Sequence, residues 1–171
     1  MKTILLTFSL FLLIMNSFSQ AYRKNDKIIS AGIQVATLMD DDAKYSFVPV
    51  NASFENIFIN KNATNKLALG AGIETGYFKY ALVANNYQVV EVSLFVSLHY
   101  SFTPRFETYL GIMAGYDFDS YNDEVAGVDG YDGLNSKAFL GIRYFLTPKL
   151  GIYTRILTSS LETECGVSYK F

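Results

Sequence analysis

Between residues 88 and 102 the apolar positions Val90, Val92, Leu94, Val96, Leu98, Tyr100 and Phe102 alternate with Glu91, Ser93, Phe95, Ser97, His99 and Ser101. A period of two belongs to a strand whose two faces meet different surroundings, because successive side chains point to opposite sides. The next stretch repeats it, with Phe106, Thr108, Leu110, Ile112, Ala114 and Tyr116 set against Glu107, Tyr109, Gly111, Met113, Gly115 and Asp117. Read this way, the chain divides into eight segments, 27–39, 47–60, 66–81, 88–102, 105–118, 134–146, 149–158 and 161–171. None shows the 3.6-residue period of a helix. Long strands joined in order without helical crossovers predict an all-β, eight-stranded antiparallel up-and-down barrel.

The connections sort into two alternating kinds. "NKNATN", "FTPR" and "LTPK" are tight turns, whereas "DDDAKY", "VANNYQ", "DSYNDEVAGVDGYDG" and "TSSL" form the other set, mostly longer and polar. Short turns on one rim and longer loops on the other are the asymmetry of a transmembrane barrel. The faces agree. One is continuously apolar; the other mixes glycine, aromatics and both signs of charge. Turned toward lipid, an Arg or Lys at the midplane would cost about 2–4 kcal/mol. Inside a closed barrel such charges are tolerable when paired. Glu55, Glu74, Glu91, Glu107, Glu162 and Glu164 are therefore expected in the lumen, forming a network with Lys137, Arg143, Arg155 and Lys170. The apolar face is expected to meet lipid, with Asn56 and Lys79 tolerated near strand ends and Pro49 at a bulge or above the bilayer.

Aromatics fall near both ends of the apolar band: Tyr100, Phe102, Phe106, Tyr144, Tyr169 and Phe171 on the turn side, and Tyr77, Tyr116 and Phe118 on the loop side. That predicts two interfacial girdles. Inward-pointing Phe95, Tyr109, Phe139 and Tyr153 should fill an eight-stranded lumen, which is only wide enough for side chains. Gly70, Gly72, Gly76, Gly111, Gly115, Gly141 and Gly151 should leave some space among them, enough to keep a narrow channel for water or small ions as an alternative.

The start of the chain, "MKTILLTFSLFLLIMNSFS", has Lys2, an apolar core and small residues Ser17 and Ser19, the layout of a cleaved secretory signal over residues 1–19. Its apolar run is short for a spanning helix, which needs about 20 residues. The barrel domain is then 20–171, exported and expected in the cell outer membrane. Composition fits: 50% of residues are hydrophobic, Tyr and Phe number 13 and 14, and Trp is absent. With one cysteine no intrachain disulfide can form, and Cys165 falls on the lipid face as a small hydrophobe. A net charge of −2 gives no footprint for nucleic acid.

Candidate chemistry is sparse. A nucleophile and base can be assembled only around His99, the single histidine, with Ser97 or Ser101 and Glu91 or Glu107. A lone lumenal histidine in a polar network reads as structural, so no enzyme activity and no cofactor are expected, and a lipid-modifying enzyme is the weakest alternative. The loop-side acids Asp40, Asp41, Asp42, Asp117, Asp119, Asp123, Glu124, Asp129 and Asp132 could attract Ca²⁺ or Mg²⁺. Asp123, Asp129 and Asp132 are the weak metal candidates, but "VDGYDG" lacks the ligand spacing and closing Glu of a calcium loop.

Taken together, the signal, the eight alternating segments, "SFTPRFETYLG", "YFLTPKLGIYTR" and the final "GVSYKF" resemble the small OmpA/OmpX-type outer-membrane barrel family. "VPVNASFENIFI" followed by "KLALGAGIETGYF" is similar in style to its Bacteroidetes-type members. The resemblance covers the mature chain. It implies a barrel in contact with outer-membrane lipid and lipopolysaccharide, a monomer, serving envelope integrity or surface interaction without catalysis. It also implies that Tyr169 and Phe171 carry the strand signal read by the barrel assembly machinery. The last segment is expected to pair with residues 29–35 and close the ring.

Overall fold

The computed structural model describes residues 22, 24–36, 44–59, 66–82, 85–121, 133–158 and 162–171. The expected signal 1–19, the turn "NKNATN" and the loop acids Asp40, Asp41, Asp42, Asp123, Glu124, Asp129 and Asp132 lie outside the described residues. Eight strands follow in chain order: β1 (Lys27–Ala36), β2 (Lys44–Ile59), β3 (Leu67–Leu82), β4 (Asn85–Ser101), β5 (Phe106–Tyr121), β6 (Gly133–Phe145), β7 (Leu150–Leu157) and β8 (Glu162–Lys170). Each pairs antiparallel with the next, and the sheet closes on itself. The seam runs from Ile28 opposite Lys170 to Gln34 opposite Glu164, so the first and last strands meet as expected. Ser30 and Ser168 hydroxyls bridge it on the inner side at 2.9 Å.

Along every strand the greasy face looks out. Leu94, Ile112 and Leu140 expose 67%, 63% and 57% of their surface, while Glu55, His99 and Arg143 expose 4%, 0% and 4%. A soluble barrel has the opposite polarity, because leaving a Leu or Ile side chain in water forfeits about 1.5–3 kcal/mol. Inverted polarity on a closed sheet, with no unpaired edge across the apolar band, makes this a transmembrane β-barrel.

Strand lengths depart from the polarity pattern in an instructive way. β2, β3, β4 and β5 run 16, 16, 17 and 16 residues, well beyond the roughly 9–11 needed to cross a bilayer. β4 begins at Asn85 and β5 ends at Tyr121, so most of "VANNYQ" is not a loop: Leu82 pairs with Asn85 and Tyr80 with Tyr87. Alternation of polarity fades at these strand ends while the backbone ladder continues. β7 and β8 have only 8 and 9 residues, and the β6–β7 ladder stops at Phe139 opposite Leu157. The wall is therefore tall over β2–β5 and low at β7–β8.

Local chemistry fixes the rims. In the β4–β5 turn, Thr103 Oγ1 accepts from the amides of Arg105 (3.3 Å) and Phe106 (3.0 Å). The β6–β7 turn copies this, with Thr147 Oγ1 accepting from Lys149 (3.2 Å) and Leu150 (2.9 Å). In both, the following Pro presets the turn's φ. Pro49, which has no amide hydrogen, sits where the β2–β3 register shifts between Phe47 and Val50. Asn56, opposite Lys27, and Lys79, opposite Gln88, lie toward opposite ends of the outer face. Rings gather at the girdles: Tyr100–Phe102 at 4.8 Å, Phe102–Phe106 at 5.5 Å and Tyr169–Phe171 at 6.2 Å on the turn side, Tyr116–Phe118 at 4.9 Å on the other.

Because Leu94 lies mid-band on the outer face, Leu94→Arg is expected to destabilise the folded barrel by about 2–4 kcal/mol. Urea unfolding in lipid vesicles measures this. A change within error of zero would mean that this face does not meet lipid.

Candidate functional site in the barrel lumen

The inward side chains form a column of layers, and the lowest is unexpected. Tyr22 precedes β1, yet it is 3% exposed and packs with Ile28, Ile57, Ala68 and Phe145 in the turn-side mouth. Asn25 makes the bend that puts it there. Its φ is 74°, a left-handed conformation that Asn tolerates better than most residues. The backbone around it is tied to β2 by Asn25 N to Ile57 O (2.7 Å) and Ile57 N to Asp26 O (2.9 Å). The Tyr22 hydroxyl donates to Glu107 Oε1 (2.5 Å) and accepts from Arg143 Nη1 (3.0 Å). Burial holds its pKa well above the ordinary phenol value, so it stays protonated. The Lys170 ammonium lies over the Tyr22 and Phe145 rings, at 5.2 and 4.8 Å. The one sequence signal for this stopper was the turn-forming pair Asn25-Asp26 just ahead of the first strand.

Above Tyr22 lies the histidine. His99 Nε2 is 2.8 Å from Glu55 Oε1 and 3.0 Å from Ser97 Oγ, and Nδ1 is 3.4 Å from Glu107 Oε1. Ser97 also hydrogen-bonds Glu55. Arg143 Nη1 closes the group onto Glu107 at 3.0 Å. Of the carboxylates considered as partners for His99, Glu107 is beside it and Glu91 is not; Glu55, on β2, is the nearer neighbour that chain proximity could not reveal. The imidazole thus has a carboxylate oxygen beside each nitrogen, but only Nε2 is hydrogen-bonded; Nδ1 has no hydrogen-bond partner among the described residues. His99 itself is 0% exposed.

The middle of the column is aromatic, and the glycines decide how it fills. Phe95 stands directly opposite Gly72, Phe139 opposite Gly111, Tyr109 opposite Gly141 and Tyr153 opposite Gly166. Each ring lies over its neighbour's glycine, so a Cβ added at Gly111 or Gly141 would collide with Phe139 or Tyr109. Gly72, Gly111 and Gly141, expected to leave space, are thus covered by rings, while Gly70 lies against Glu55 and Ser97 and Gly115 against Ser93. Two guanidiniums stack on this layer, Arg143 over Tyr109 at 4.8 Å and Arg155 over Phe139 at 5.6 Å. Ser30, Glu55, Tyr109, Arg143 and Arg155 line a cavity of ≈ 20 Å³, about one water.

Toward the loop side, Arg155 on β7 joins its neighbour β8 to the distant β3. Its Nε donates to Glu164 Oε2 at 2.5 Å on the adjacent β8, and its Nη2 reaches Glu74 on β3 across the lumen. Lys137 Nζ pairs with Glu91 Oε2 at 2.6 Å, and Ser93 Oγ donates to Glu91 Oε1 at 2.7 Å. Tyr153 OH donates to Asn51 Oδ1 at 3.2 Å, a second cross-lumen tie. Glu162 lines the same wall with no ion-pair partner within 4.0 Å among the described residues. Lys170 is drawn to the mouth aromatics described above. On the outer face Cys165 Sγ donates to Thr154 Oγ1 at 3.4 Å, and Tyr169 and Phe171 belong to the turn-side girdle. Asp117, nearer the loop rim, accepts from Asn135 Nδ2 at 2.6 Å.

A closed eight-stranded barrel, apolar outside and packed inside with paired charges, defines a small transmembrane β-barrel protein. The comparisons with known structures support that fold. Ail, the attachment invasion locus protein of Yersinia pestis, solved with the heparin analogue sucrose octasulfate, superposes with a TM-score of 0.58 at 12% identity, covering 87% of this chain and 100% of that one. The N-terminal β-barrel domain of Pseudomonas aeruginosa OprF gives 0.51 at 15% identity, covering 86% and 98%. A de novo designed transmembrane β-barrel gives 0.50 at 12% identity, covering 88% and 98%. That a designed barrel matches about as well marks the likeness as one of fold. No protein-family model and no curated protein matches the sequence.

Arg155→Leu should leave Glu74 and Glu164 without their buried partner and destabilise the barrel by about 3–5 kcal/mol. Adding Glu74→Gln and Glu164→Gln should restore most of that. Urea midpoints of the single and triple variants in detergent or vesicles check it, and equal loss in both would show that the charges act independently.

Proposed function

We propose that this chain is an integral outer-membrane barrel with a filled lumen, non-enzymatic, serving envelope integrity or surface interaction. The observation that carries the reading is the column itself. Among the described residues, from Tyr22 through the His99 group, the ring layer and Arg155, inward side chains pack and pair with one another, and the cavity lined by Ser30, Glu55, Tyr109, Arg143 and Arg155 holds about one water. Such a lumen stabilises a wall; it does not transport or transform. Export and outer-membrane residence are supported by the signal-like start and by a wall that meets lipid with strands rather than helices. Lipid and lipopolysaccharide are then its immediate partners, and a monomer suffices because the ring leaves no unpaired edge in the apolar band.

Heating should shift the folded protein's mobility on a detergent gel, and fractionation should place it in the outer membrane. In planar bilayers it should give no reproducible unitary conductance steps. Discrete steps would sink the filled-lumen reading in favour of a narrow channel, whereas recovery in the detergent-free periplasm would sink the membrane reading altogether.

The seam strand is also the proposed address for the barrel assembly machinery, through Tyr169 and Phe171. Phe171 trades two backbone hydrogen bonds with Lys27, each 2.9 Å, so deleting it would damage seam and address together. Phe171→Asp keeps the backbone and replaces the ring with a carboxylate. It should lower outer-membrane levels in cells several-fold while refolding normally in detergent. Equal levels in cells would remove Phe171 from the address.

A further inference from the structure

The base of each odd-numbered strand carries a cation. Lys27 opens β1, Lys66 immediately precedes β3, Arg105 precedes β5 and Lys149 precedes β7. All are exposed, as is Lys24 beside them. Backbone hydrogen bonds hold these residues at one level, each to a neighbouring strand end. Lys27 is bonded to Phe171 at 2.9 Å, Lys66 O to Ser101 N at 2.8 Å, Arg105 O to Phe145 N at 2.7 Å and Lys149 O to Lys170 N at 2.7 Å. Since strand order follows chain order round the closed ring, the four fall at every second strand, a collar circling the turn-side rim. Asp26 stands among them, half-buried, and Glu107 nearby is buried under Tyr22. The opposite rim differs. There Lys79 is a described cation, while seven of the sixteen acids of the sequence fall in the connections on that side.

The collar borders the turn-side girdle of Tyr100, Phe102, Phe106, Tyr169 and Phe171, and the Lys149 ammonium lies 6.0 Å from the centre of the Tyr169 ring. Aromatic belts mark the headgroup level of a bilayer, and long cationic side chains beside them reach the phosphates. Resting on the membrane-spanning reading, we infer that Lys27, Lys66, Arg105 and Lys149 form an interaction surface for anionic phospholipid headgroups in the leaflet at the turn side. The surface is selective for net negative charge. A zwitterionic headgroup offers its phosphate together with a cation that the collar repels. An anionic one offers the phosphate alone. Circling the rim, the collar anchors the barrel at a fixed depth and in one orientation.

The test uses the full-length refolded protein in nanodiscs made from equal parts phosphatidylcholine and phosphatidylglycerol. Phospholipids retained after gentle detergent release are counted by native mass spectrometry. The wild type should retain phosphatidylglycerol about fivefold over phosphatidylcholine, roughly what one Lys or Arg near an anionic surface supplies. The combined K27Q, K66Q, R105Q and K149Q variant should fall to near parity, and K79Q on the other rim should keep the preference. An unchanged preference in the fourfold variant, or none in the wild type, overturns the proposal. Heat-modifiability, read in parallel, reports whether a variant has formed the barrel, so a failure of folding or of the membrane reading is distinguished from a failure of the collar. If the fourfold variant does not fold, wild type alone decides: the preference should vanish in about 1 M NaCl, where the Debye length is about 3 Å, and persistence there overturns the proposal. Binding of isolated peptidoglycan by the wild type but not by the fourfold variant, without lipid preference, would assign the collar to the cell wall and overturn the lipid proposal.

Discussion

Closure of β8 onto β1 is the constraint on which the rest of the structure depends. In hydrocarbon no water is present to satisfy an exposed strand edge, so the ladder must be completed by the chain itself. Eight strands make the smallest common ring, with a lumen only as wide as its side chains. Once closed, the ring fixes which residues face each other across the lumen and how much volume they must share. Arg155 reaches Glu74 on β3 while also holding Glu164 on β8, a contact that exists only because the sheet curls round.

Charges in that lumen are not there because ion pairs are intrinsically stabilising. Desolvating a carboxylate and a guanidinium offsets most of their attraction, and well-packed apolar residues would serve stability as well or better. An apolar interior would, however, make both strand faces alike, and the chain would lose the signal that sets its register. A one-residue slip would then turn the wrong set toward lipid at little cost. With Glu74, Arg143 and Arg155 on the inner face, such a slip exposes ionised groups to hydrocarbon. The same pairs tie distant strands together, as Glu55 on β2 meets His99 on β4.

The two rims divide the remaining work. On the loop side β2–β5 rise beyond the apolar band, while β7 and β8 stop low. On the turn side the chain is short and tied, with threonine-capped turns, a tyrosine stopper and exposed cations beside an aromatic belt. Among the described residues, Tyr22 thus fills the turn-side mouth, and the wall at the other rim is higher over β2–β5 than at β7 and β8.

Fold, strand count and polarity were legible in the sequence because a period of two, sustained through segments such as 88–102 and 105–118, has one physical solution when one face is wholly apolar and the other holds both signs of charge. The inward set, from Glu55 to Lys170, was legible for the same reason, as was the pairing of the last segment with the first. Strand ends above the apolar band were not, because Asn85 to Gln88 join the ladder through backbone bonds that leave no mark on polarity. Three things were decided by tertiary structure alone. Register set Phe95, Tyr109, Phe139 and Tyr153 over glycines of neighbouring strands and so filled space that the glycines had promised to leave. Curvature chose Glu55, distant in sequence, as the nearer carboxylate to His99. The bend at Asn25 carried Tyr22 into the mouth. Periodicity reports which face a side chain occupies; only the closed ring decides what it meets there.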